Sequence, residues 1–390
     1  MRVGLNAHLL SGRAGYRSAG IHSYISNLLR HLPMQAPADW GFEALVGAAN
    51  SASFPGVSMA RAGMDTEQPW RRIFWEQALQ PWQLRRFDLY HAMAFVAPVI
   101  LTAPMVVTVY DLSFLRFPAR LSAARRLYLR AMTAFTCARA RRVIAISQST
   151  ANDLTAQMAL PAEKIDVTPL AYDKAAFRPL LAADIAHFRL KQNLPDRFWL
   201  FVGTLEPRKN LPALLEAYAR LPRDARLPLI LGGGIGWMAQ DTFAAIERLN
   251  LGDSVRHAGF IPIADLPLWY NCAEAFLYPS VYEGFGLPVL EAMACGTPVI
   301  TSQASSLPEV AGAAAMCLPP EDIERWTAAL ADLGRNDEWR ERARLQGLER
   351  AKQFSWARTA ELTLASYRKA AARHDLPLGE GEKATRVESK

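Results

Sequence analysis

The chain has 390 residues, of which 51% are hydrophobic and 21% charged, and its formal net charge is +7. This length predicts two domains, and this composition excludes a disordered chain. The four cysteines show no C-x-x-C spacing, which argues against a zinc site or a disulfide framework and favours reduced thiols. The first residues, MRVGLNAHLL, do not form a signal peptide, so we expect a cytoplasmic protein.

The first half of the chain alternates short apolar runs with stretches of helical periodicity. The predicted strands are RVGLNA, FEALVG, DLYHAM, PMVVTVYD, VIAIS and IDVTPLAY. The predicted helices are GIHSYISNLLRHL, RRIFWEQALQPWQLRRF with an interruption at Pro81, ARRLYLRAMTAFTCARARR, and STANDLTAQM opened by Ser149. Such alternation predicts a parallel sheet with helices on both faces.

One segment has the length of a membrane span. Leu89 to Tyr110 contains no Asp, Glu, Lys or Arg, but it holds His91, Pro98 and Pro104. Two short buried strands with a proline-bounded loop between them explain this segment better than a transmembrane helix.

The alternation restarts after a joint near Phe177–Asp196 that contains Pro179 and Pro195. The predicted strands of the second half are RFWLFVGTL, LPLILGGG, SVRHAGF, EAFLYPS and TPVITS. The predicted helices are NLPALLEAYARL, AQDTFAAIERLNL, IADLPLWYNC, LPVLEAMAC and the short SLPEVAG, and everything from about 320 onward reads as helical. Two α/β domains facing each other would form a cleft at the carboxyl ends of their strands, which is a favoured place for ligands.

Two adjacent cations follow the first strand of the second half. In FVGTLEPRKNLPALLEAY, Gly203 and Thr204 end the strand, Arg208 and Lys209 come next, and Asn210 is a plausible N-cap of the following helix. A guanidinium, an ammonium and a helix N-terminus together suit a pyrophosphate. A solvated basic turn is the alternative.

Two carboxylates flank a glycine-rich turn in EGFGLPVLEAMACGTPVI. Glu283 lies in the predicted loop and Glu291 in the first turn of the predicted helix, while Gly284 and Gly286 leave their backbone amides open to a ligand. A carboxylate only accepts hydrogen bonds, so paired sugar hydroxyls are natural partners. Alternatively, Glu291 stabilises the helix dipole and Glu283 is a loop charge.

With these motifs in place, the chain resembles the GT-B glycosyltransferases of family 4 over nearly its whole length. The resemblance rests on the basic pair followed about 75 residues later by E-x7-E within PSVYEGFGLPVLEAMACGTPVI. Further matching segments are SAGIHSYISNLL, VVTVYDLSFLRFP, VIAISQSTANDL, KIDVTPLAYDKAAFRP, TSQASSLPEVAG and FSWARTAELTLASYRKA. The bacterial mannosyltransferases that build O-antigen or exopolysaccharide units are the most similar in character.

The resemblance implies an α/β fold with two Rossmann-like parallel-sheet domains across a cleft. An acceptor-binding domain would span residues 1–178, a nucleotide-sugar-binding domain residues 196–356, and a C-terminal helix at about 357–374 would cross back to the first domain. The crossover and the joint would together act as a hinge for cleft closure. Residues 375–390 form a polar tail that we expect to be disordered.

The resemblance also implies retaining transfer of a hexose, most simply mannose from GDP-mannose, to a polyprenyl-diphosphate-linked oligosaccharide. UDP-glucose and UDP-N-acetylglucosamine are alternative donors, and a catalytically silent sugar-nucleotide-binding protein is an alternative of another class. No D-x-D occurs, so we expect neither a metal nor another cofactor.

The resemblance assigns roles to individual positions. Glu283 would bind the donor sugar, Glu291 the ribose hydroxyls, and Arg208 with Lys209 the leaving diphosphate. The amides of Gly284, Phe285 and Gly286 would contact the sugar, and Gly20 would let the first domain approach the diphosphate.

One position departs from the family pattern. Relatives commonly carry a histidine before the aspartate of VVTVYD, where this chain has Tyr110 followed by Asp111. Tyrosine is a poor base at neutral pH because its ordinary pKa is about 10. His91 at the end of the neighbouring strand could fill the gap, although a buried structural histidine is the alternative.

The first half is the basic half of the chain. Residues 1–195 carry 22 Lys and Arg against 12 Asp and Glu, a net charge of +10, whereas residues 196–390 carry 22 against 25. The basic helix with interleaved apolar residues contains Arg125, Arg126, Arg130, Arg139, Arg141 and Arg142. We expect peripheral contact with an anionic membrane surface through this helix, with a solvated helix face as the alternative, and no nucleic-acid partner.

Overall fold

The chain folds around two parallel β-sheets, as seen in a computed structural model that describes residues 1–10, 19–118 and 121–372. The first sheet has seven strands in the order β3-β2-β1-β4-β5-β6-β7, and the second has six in the order β10-β9-β8-β11-β12-β13. All pairs of neighbouring strands within the two sheets are parallel. The predicted pair of Rossmann-like sheets is therefore confirmed.

The strands are short, and those at the centre of each sheet are buried on both faces. The first sheet consists of β1 Arg2–Asn6, β2 Gly41–Val46, β3 Val57–Arg61, β4 Leu89–Ala92, β5 Met105–Val109, β6 Arg142–Ala145 and β7 Ile165–Val167. The second consists of β8 Trp199–Val202, β9 Leu229–Gly232, β10 Val255–Gly259, β11 Ala275–Tyr278, β12 Val299–Ser302 and β13 Met316–Leu318. Helices cover both faces, which explains why the central strands read as unbroken apolar runs.

The helices follow the strands in the expected alternation. Those of the first half are α1 Ala19–Gln35, α2 Pro69–Phe74, α3 Gln80–Leu84, α4 Ser113–Arg116, α5 Ala123–Arg139 and α6 Gln148–Met158. Those that follow are α7 Ala182–Lys191, α8 Leu211–Ala219, α9 Gln240–Arg248, α10 Leu266–Cys272, α11 Leu287–Ala294, α12 Leu307–Ala311, α13 Ile323–Leu333, α14 Asp337–Ala351 and α15 Trp356–Ala371.

The apolar segment from Leu89 to Tyr110 forms β4 and β5 with a loop between them, as predicted. Across residues 1–10, 19–118 and 121–372, no helix has the length and apolarity needed to cross a bilayer.

The helical segment around Pro81 is irregular one turn earlier than predicted. A π-helical turn, Trp75–Leu79, separates α2 from α3, and Pro81 lies in the first turn of α3. Proline is tolerated in a first turn because its missing N–H has no intrahelical partner there. The π-helical turn directs Trp75 and Glu76 into the protein.

The joint between the sheets contains a helix that the sequence analysis did not predict. In α7, Phe188 is the buried residue, and its ring packs edge-on against Trp269 of α10 at 5.9 Å. With one buried position in ten residues, α7 shows little apolar periodicity. Its sequence was therefore interpreted as a joint marked by the flanking prolines.

The last described helix returns to the first sheet. Helix α15 packs along α1 and contacts β4, β5 and β6, and Lys369 forms an ion pair with Asp166 at 2.6 Å. The predicted crossing of the C-terminal helix is confirmed. The domain boundaries at 178, 196 and 356 stay predictions, and the predicted tail at 375–390 lies outside the described residues.

Candidate active site

The candidate site lies where the strand order of the second sheet reverses direction. Strands β8 and β11 are neighbours, and the chain leaves them toward opposite edges of the sheet. Such a reversal opens a crevice at the carboxyl ends of the two strands. The segment after β8 carries Gly203, Thr204 and the basic pair, and the segment after β11 carries Glu283.

Arg208, Lys209 and Glu283 form a closed cluster of ion pairs. The Arg208 Nη1 lies 2.6 Å from Glu283 Oε2, and the Lys209 Nζ lies 2.5 Å from Glu283 Oε1. Lys209 and Glu283 are both buried. The basic pair and the first glutamate of E-x7-E are thus brought together, and each carboxylate oxygen of Glu283 faces a different cation.

Further hydroxyl groups hold the Glu283 carboxylate. The Ser280 hydroxyl donates to Oε1 at 2.7 Å, and the Tyr278 hydroxyl donates to the same oxygen at 2.9 Å. Burial alone would raise the pKa of Glu283, but Arg208 and Lys209 outweigh it and lower the pKa to about 2. Glu283 is therefore ionised at neutral pH.

The two cations are themselves anchored. Arg208 also pairs with Glu206 and donates from Nη1 to the Tyr282 carbonyl at 3.0 Å. The Trp237 indole donates to Glu206 at 3.2 Å. Burial, followed by the charge of Arg208, lowers the pKa of Lys209 to about 8. The side chains of this pair are therefore held in place by protein groups alone.

Asn210 does not cap α8 with its side chain. It occupies the cap position with φ 55°, and its amide donates to the Pro320 carbonyl at 2.7 Å. Residues Pro207–Lys209 form a 3-10 turn instead. The predicted N-cap position is confirmed, but with this left-handed backbone the Asn210 side chain makes no capping hydrogen bond.

The first glycine of the EGFG turn meets the other domain. A Cβ on Gly284 would lie 2.2 Å from the Tyr110 carbonyl oxygen and 3.1 Å from the Asp111 Cβ. From the sequence, Gly284 was expected to leave its backbone amide open to a ligand. In the structure, the close approach of the two domains requires a residue without Cβ at this position. Gly286 has φ 109°, a conformation that favours glycine.

Phe285 and Glu291 lie apart from the ion-pair cluster. Phe285 is buried edge-on against Phe354 at 5.9 Å. Glu291 lies on α11, half-buried, and its Oε2 accepts a hydrogen bond from the Tyr270 hydroxyl at 3.2 Å. Burial raises the pKa of Glu291 to about 8. Within the described part of the chain, no recorded hydrogen bond or ion pair joins Glu291 to Glu283, Arg208 or Lys209.

Neither candidate base has a side chain free for proton transfer. The Tyr110 hydroxyl donates to the Met93 carbonyl at 2.8 Å, and burial raises its pKa well above the ordinary value. In His91, Nδ1 contacts the Tyr367 hydroxyl at 2.6 Å and Nε2 the Thr108 hydroxyl at 2.8 Å. Burial lowers the pKa of His91 to about 3. His91 is therefore the buried structural histidine given as the alternative above, and its hydrogen bonds connect β4 with β5 and α15.

Asp111 and Gly20 lie at the edge of the first domain. Asp111 is half-buried, and its Oδ1 accepts the Ser113 amide at 2.9 Å. Gly20 is exposed at the start of α1, and among the described residues outside its own helical turn no atom lies within 4 Å of the position of a Cβ.

A set of contacts between the domains escaped the sequence analysis. Tyr282, next to Glu283, accepts the Leu112 amide at 3.0 Å and donates to Asp153 at 2.8 Å. Asp153 in turn pairs with Arg116 at 2.7 Å. Tyr278 and Ser280 could have been expected at the carboxyl end of a strand, but Tyr282 and Asp153 are 129 residues apart and have no local signal.

Helix α6 receives a cap from the second domain. Its own cap is Ser147, two residues before the predicted start at Ser149, and its next amides, Gln148 and Ser149, donate to the Glu309 carboxylate at 2.7 and 2.6 Å. A carboxylate at a helix N-terminus satisfies unpaired amides and interacts favourably with the helix dipole.

The basic helix is only partly available to a membrane. Arg142 lies on β6 and pairs with Asp166 at 2.6 Å, so it does not belong to the face of α5. Arg141 donates to the Ala370 carbonyl at 2.8 Å. The exposed residues of α5 include Arg125, Leu127 and Arg130.

Comparison with known proteins shows the family to which the chain belongs. The family model described as Glycosyltransferase Family 4 matches residues 19–175, and the one described as Glycosyl transferases group 1 matches residues 183–350. The chain is 36% identical over 294 residues to the O-antigen chain mannosyltransferase B of Escherichia coli, which covers 74% of this chain and 77% of that protein. It is 30% identical to the serotype-specific mannosyltransferase WbdA of Escherichia coli over 62% of this chain and 30% of that protein.

Solved structures share the architecture at low identity. The sucrose-phosphate synthase of Thermosynechococcus elongatus aligns with a TM-score of 0.73 and 21% identity, over 94% of this chain and 98% of that one. Anabaena HepE in complex with UDP and glucose aligns with a TM-score of 0.70 and 21% identity, over 94% and 99%. The chain belongs to the glycosyltransferases of family 4, and its two domains form a GT-B fold.

Proposed function

We propose that the protein is a retaining glycosyltransferase that moves mannose from GDP-mannose, in α linkage, to a lipid-linked oligosaccharide during the synthesis of a surface polysaccharide. The cluster of Arg208, Lys209 and Glu283 between β8 and β11 carries this proposal. The likeness to the two mannosyltransferases of Escherichia coli supports the choice of sugar and of process.

The cluster suits departure of a nucleoside diphosphate. The leaving group gains negative charge as the glycosidic bond breaks, and Arg208 and Lys209 supply fixed positive charge for it. One such preorganised interaction is typically worth about 3–4 kcal/mol of barrier lowering. Glu283 keeps both cations ordered, and the donor sugar would meet the same carboxylate through a hydroxyl group.

The base of the reaction is best sought outside the protein side chains. Tyr110 and His91 are both occupied by internal hydrogen bonds. In a retaining transfer where the acceptor attacks the face that the leaving group departs from, a phosphate oxygen of the leaving group takes the acceptor proton. No protein nucleophile is needed in that case.

Glu291 is the candidate ligand of the ribose. It lies on α11, one turn beyond the EGFG turn, and is half-buried. A carboxylate in this place would accept hydrogen bonds from both ribose hydroxyls. UDP-glucose and UDP-N-acetylglucosamine stay alternative donors, and the complex of Anabaena HepE with UDP and glucose supports keeping a UDP-linked donor in view.

The exposed part of α5 is the candidate membrane surface. Leu127 is 68% exposed and lies between the exposed Arg125 and Arg130. Arginine near anionic lipid contributes about 1 kcal/mol per side chain. Peripheral binding there would bring the protein to an acceptor carried by a lipid.

The proposed activity is tested by nucleotide binding and turnover. In thermal-shift titrations with GDP, UDP and ADP, GDP should raise the melting temperature most. Incubation with GDP-mannose and an acceptor should release GDP. Glu283→Gln and Lys209→Ala should each lower turnover by two orders of magnitude or more.

A matched control is Glu216→Gln, which removes another carboxylate paired with an arginine, Arg248, on the surface of the second domain. This variant should keep full activity. If a nucleotide raises the melting temperature but none of the three sugar donors is turned over, the catalytically silent alternative replaces the enzyme. If no nucleotide raises it, both are overturned.

A further inference from the structure

The first sheet has a reversal of strand order of its own, and a cavity lies at it. Strands β1 and β4 are neighbours, and the chain leaves them toward opposite edges. A cavity of about 440 Å³ opens there, within the range of small-molecule sites. Its walls are the end of β1, helix α2 with the π-helical turn, the loop after β4, and the start of α5.

A buried carboxylate faces this cavity. Glu76 is 9% exposed, and the Asn6 side-chain amide donates to its Oε1 at 3.1 Å. The irregular π-helical turn places Glu76 toward the interior, and such turns occur frequently at functional sites. The reaction derived above makes no use of Glu76, and burial of an acidic group in a cleft is typical of a binding or catalytic residue.

Aromatic surface surrounds the polar floor. Trp70, Phe95 and Tyr128 all line the cavity, and Trp70 is 63% exposed at its rim. Phe95 has φ 50°, a conformation that is costly for a bulky residue. Backbone strain of this kind concentrates at ligand sites, where the surrounding structure holds it in place.

The cavity is linked to the donor site by direct packing. Phe95 packs against the Tyr110 ring with centroids 5.6 Å apart. The Tyr110 carbonyl meets Gly284, the residue after Glu283. A molecule in the cavity would therefore lie close to the turn that carries the candidate catalytic carboxylate.

We propose that this cavity binds a neutral sugar ring of the acceptor, with Glu76 and Asn6 accepting and donating hydrogen bonds to its hydroxyls and Trp70 covering one ring face. The proposal rests on the proposed glycosyl transfer. It adds a specificity site in the first domain that discriminates among acceptors and leaves donor binding untouched.

The chemistry of the walls favours a sugar over the other groups that the same acceptor would carry. The wall carries the Glu76 carboxylate together with Arg72 and Arg125. An alkyl chain would shield these charged groups from water, which costs free energy, and a phosphate that paired with the arginines would also face the carboxylate. A pyranose ring offers hydroxyls at its edge and C–H groups on its face, so it matches both a carboxylate and an aromatic ring.

Binding is measured first, with the full chain and defined probes. Saturation-transfer NMR would use the methyl α-glycosides of mannose, glucose, galactose and N-acetylglucosamine. At least one glycoside should bind, and Trp70→Ala should weaken its affinity tenfold or more. Trp82→Ala is the matched control, because Trp82 is 69% exposed on α3 and does not line the cavity.

The second measurement separates acceptor from donor. Glu76→Gln retains an oxygen for the Asn6 amide, so it should fold while lowering kcat/KM for a soluble oligosaccharide acceptor tenfold or more. Hydrolysis of GDP-mannose in the absence of acceptor should be unchanged in Glu76→Gln and Trp70→Ala.

The outcomes are distinguishable. If none of the four glycosides binds, or if Trp70→Ala leaves their affinity unchanged, the sugar subsite is overturned while donor hydrolysis still supports the transferase. If Trp70→Ala reduces binding to anionic vesicles but leaves sugar binding intact, Trp70 belongs to a lipid surface and the proposal is again overturned. Absence of all nucleotide binding would instead overturn the proposed function.

Discussion

The backbone carbonyl of Tyr110 in the first domain lies 2.2 Å from the place that a Cβ on Gly284 of the second domain would occupy. The Thr150 hydroxyl sits at the same place, donating to the Tyr110 carbonyl at 3.1 Å and to the Gly284 carbonyl at 3.4 Å. The turn after Glu283 is therefore a point where the two domains touch. This contact couples the position of the turn that carries Glu283 to the approach of the two domains.

Substitution of Gly284 should impair this approach selectively. In Gly284→Ala, the added methyl group would overlap the Tyr110 carbonyl, so the two domains could not come together in the arrangement described. We expect kcat to fall at least tenfold, while GDP still raises the melting temperature. Steady-state kinetics and thermal-shift titration measure both quantities.

Gly252→Ala is the control for that variant. Gly252 is an exposed residue of the same domain, and in the described part of the chain no atom beyond its two neighbours lies within 4 Å of its Cβ position. It should leave kcat unchanged. Full activity of Gly284→Ala would show that the contact with Tyr110 is not needed for turnover.

Glu309 should act as a latch between the domains. Glu309→Gln keeps one oxygen for the amides of Gln148 and Ser149 but removes the charge, which at a helix N-terminus is worth about 0.3–1 kcal/mol. We expect a two- to fivefold loss of kcat, greater at low salt, with an unchanged affinity for GDP. Glu321→Gln, at an exposed position of the same domain, should have no effect, and equal behaviour of the two variants would contradict the latch.

The affinity for nucleotide should depend on pH through the titration of Glu291. Its pKa is raised from 4.5 to about 8 by burial, and the Tyr270 hydroxyl and the Cys295 thiol are the titratable groups beside it. Because the folded pKa exceeds the unfolded one, Glu291 favours folding below pH 4.5, and that contribution is lost as the pH rises through 8. Ribose hydroxyls would bind the ionised form, so nucleotide binding should release a proton.

The test is the ratio of wild-type to Glu291→Gln affinity for GDP between pH 7 and 9. The ratio isolates Glu291 from Lys209, whose lowered pKa of about 8 also changes phosphate binding in this range. We expect the ratio to rise with pH by isothermal titration calorimetry. A ratio that does not change with pH would show that Glu291 does not bind the ribose hydroxyls.

Transfer should not depend on a divalent metal. Arg208 and Lys209 supply the charge that a metal would otherwise give to the leaving diphosphate. Activity with GDP-mannose should be within twofold after exhaustive treatment with EDTA, and added Mg²⁺ or Mn²⁺ should not stimulate it. A tenfold loss that either ion restores would require a metal in the mechanism.

The sequence was most informative where function depends on residues close together in the chain. The strand–loop–helix pattern of FVGTLEPRKNLPALLEAY and the E-x7-E motif each sit on one unit of the second sheet. Parallel strands put their carboxyl ends at one edge, so both motifs were expected at the same edge of the second sheet. That Arg208 pairs with Glu283 there depends on β8 and β11 being neighbours, which the structure shows. Side-chain periodicity likewise determined both sheets, because buried strands and amphipathic helices have different apolar spacing.

The tertiary structure decided the questions that depend on distant residues. His91 could be recognised as structural only once Tyr367, 276 residues away, was seen bonded to it. The need for glycine at position 284 became clear only from its contact with Tyr110. The cavity beside Glu76 is formed by four separate segments of the chain. These relationships depend on how two domains pack, and a local pattern of residues carries no information about a partner far along the chain. The sequence by itself determined the family, the two sheets and the residues of the charged cluster. The packing of strands and domains decided which of those residues pair with one another and which side chains are engaged in internal hydrogen bonds.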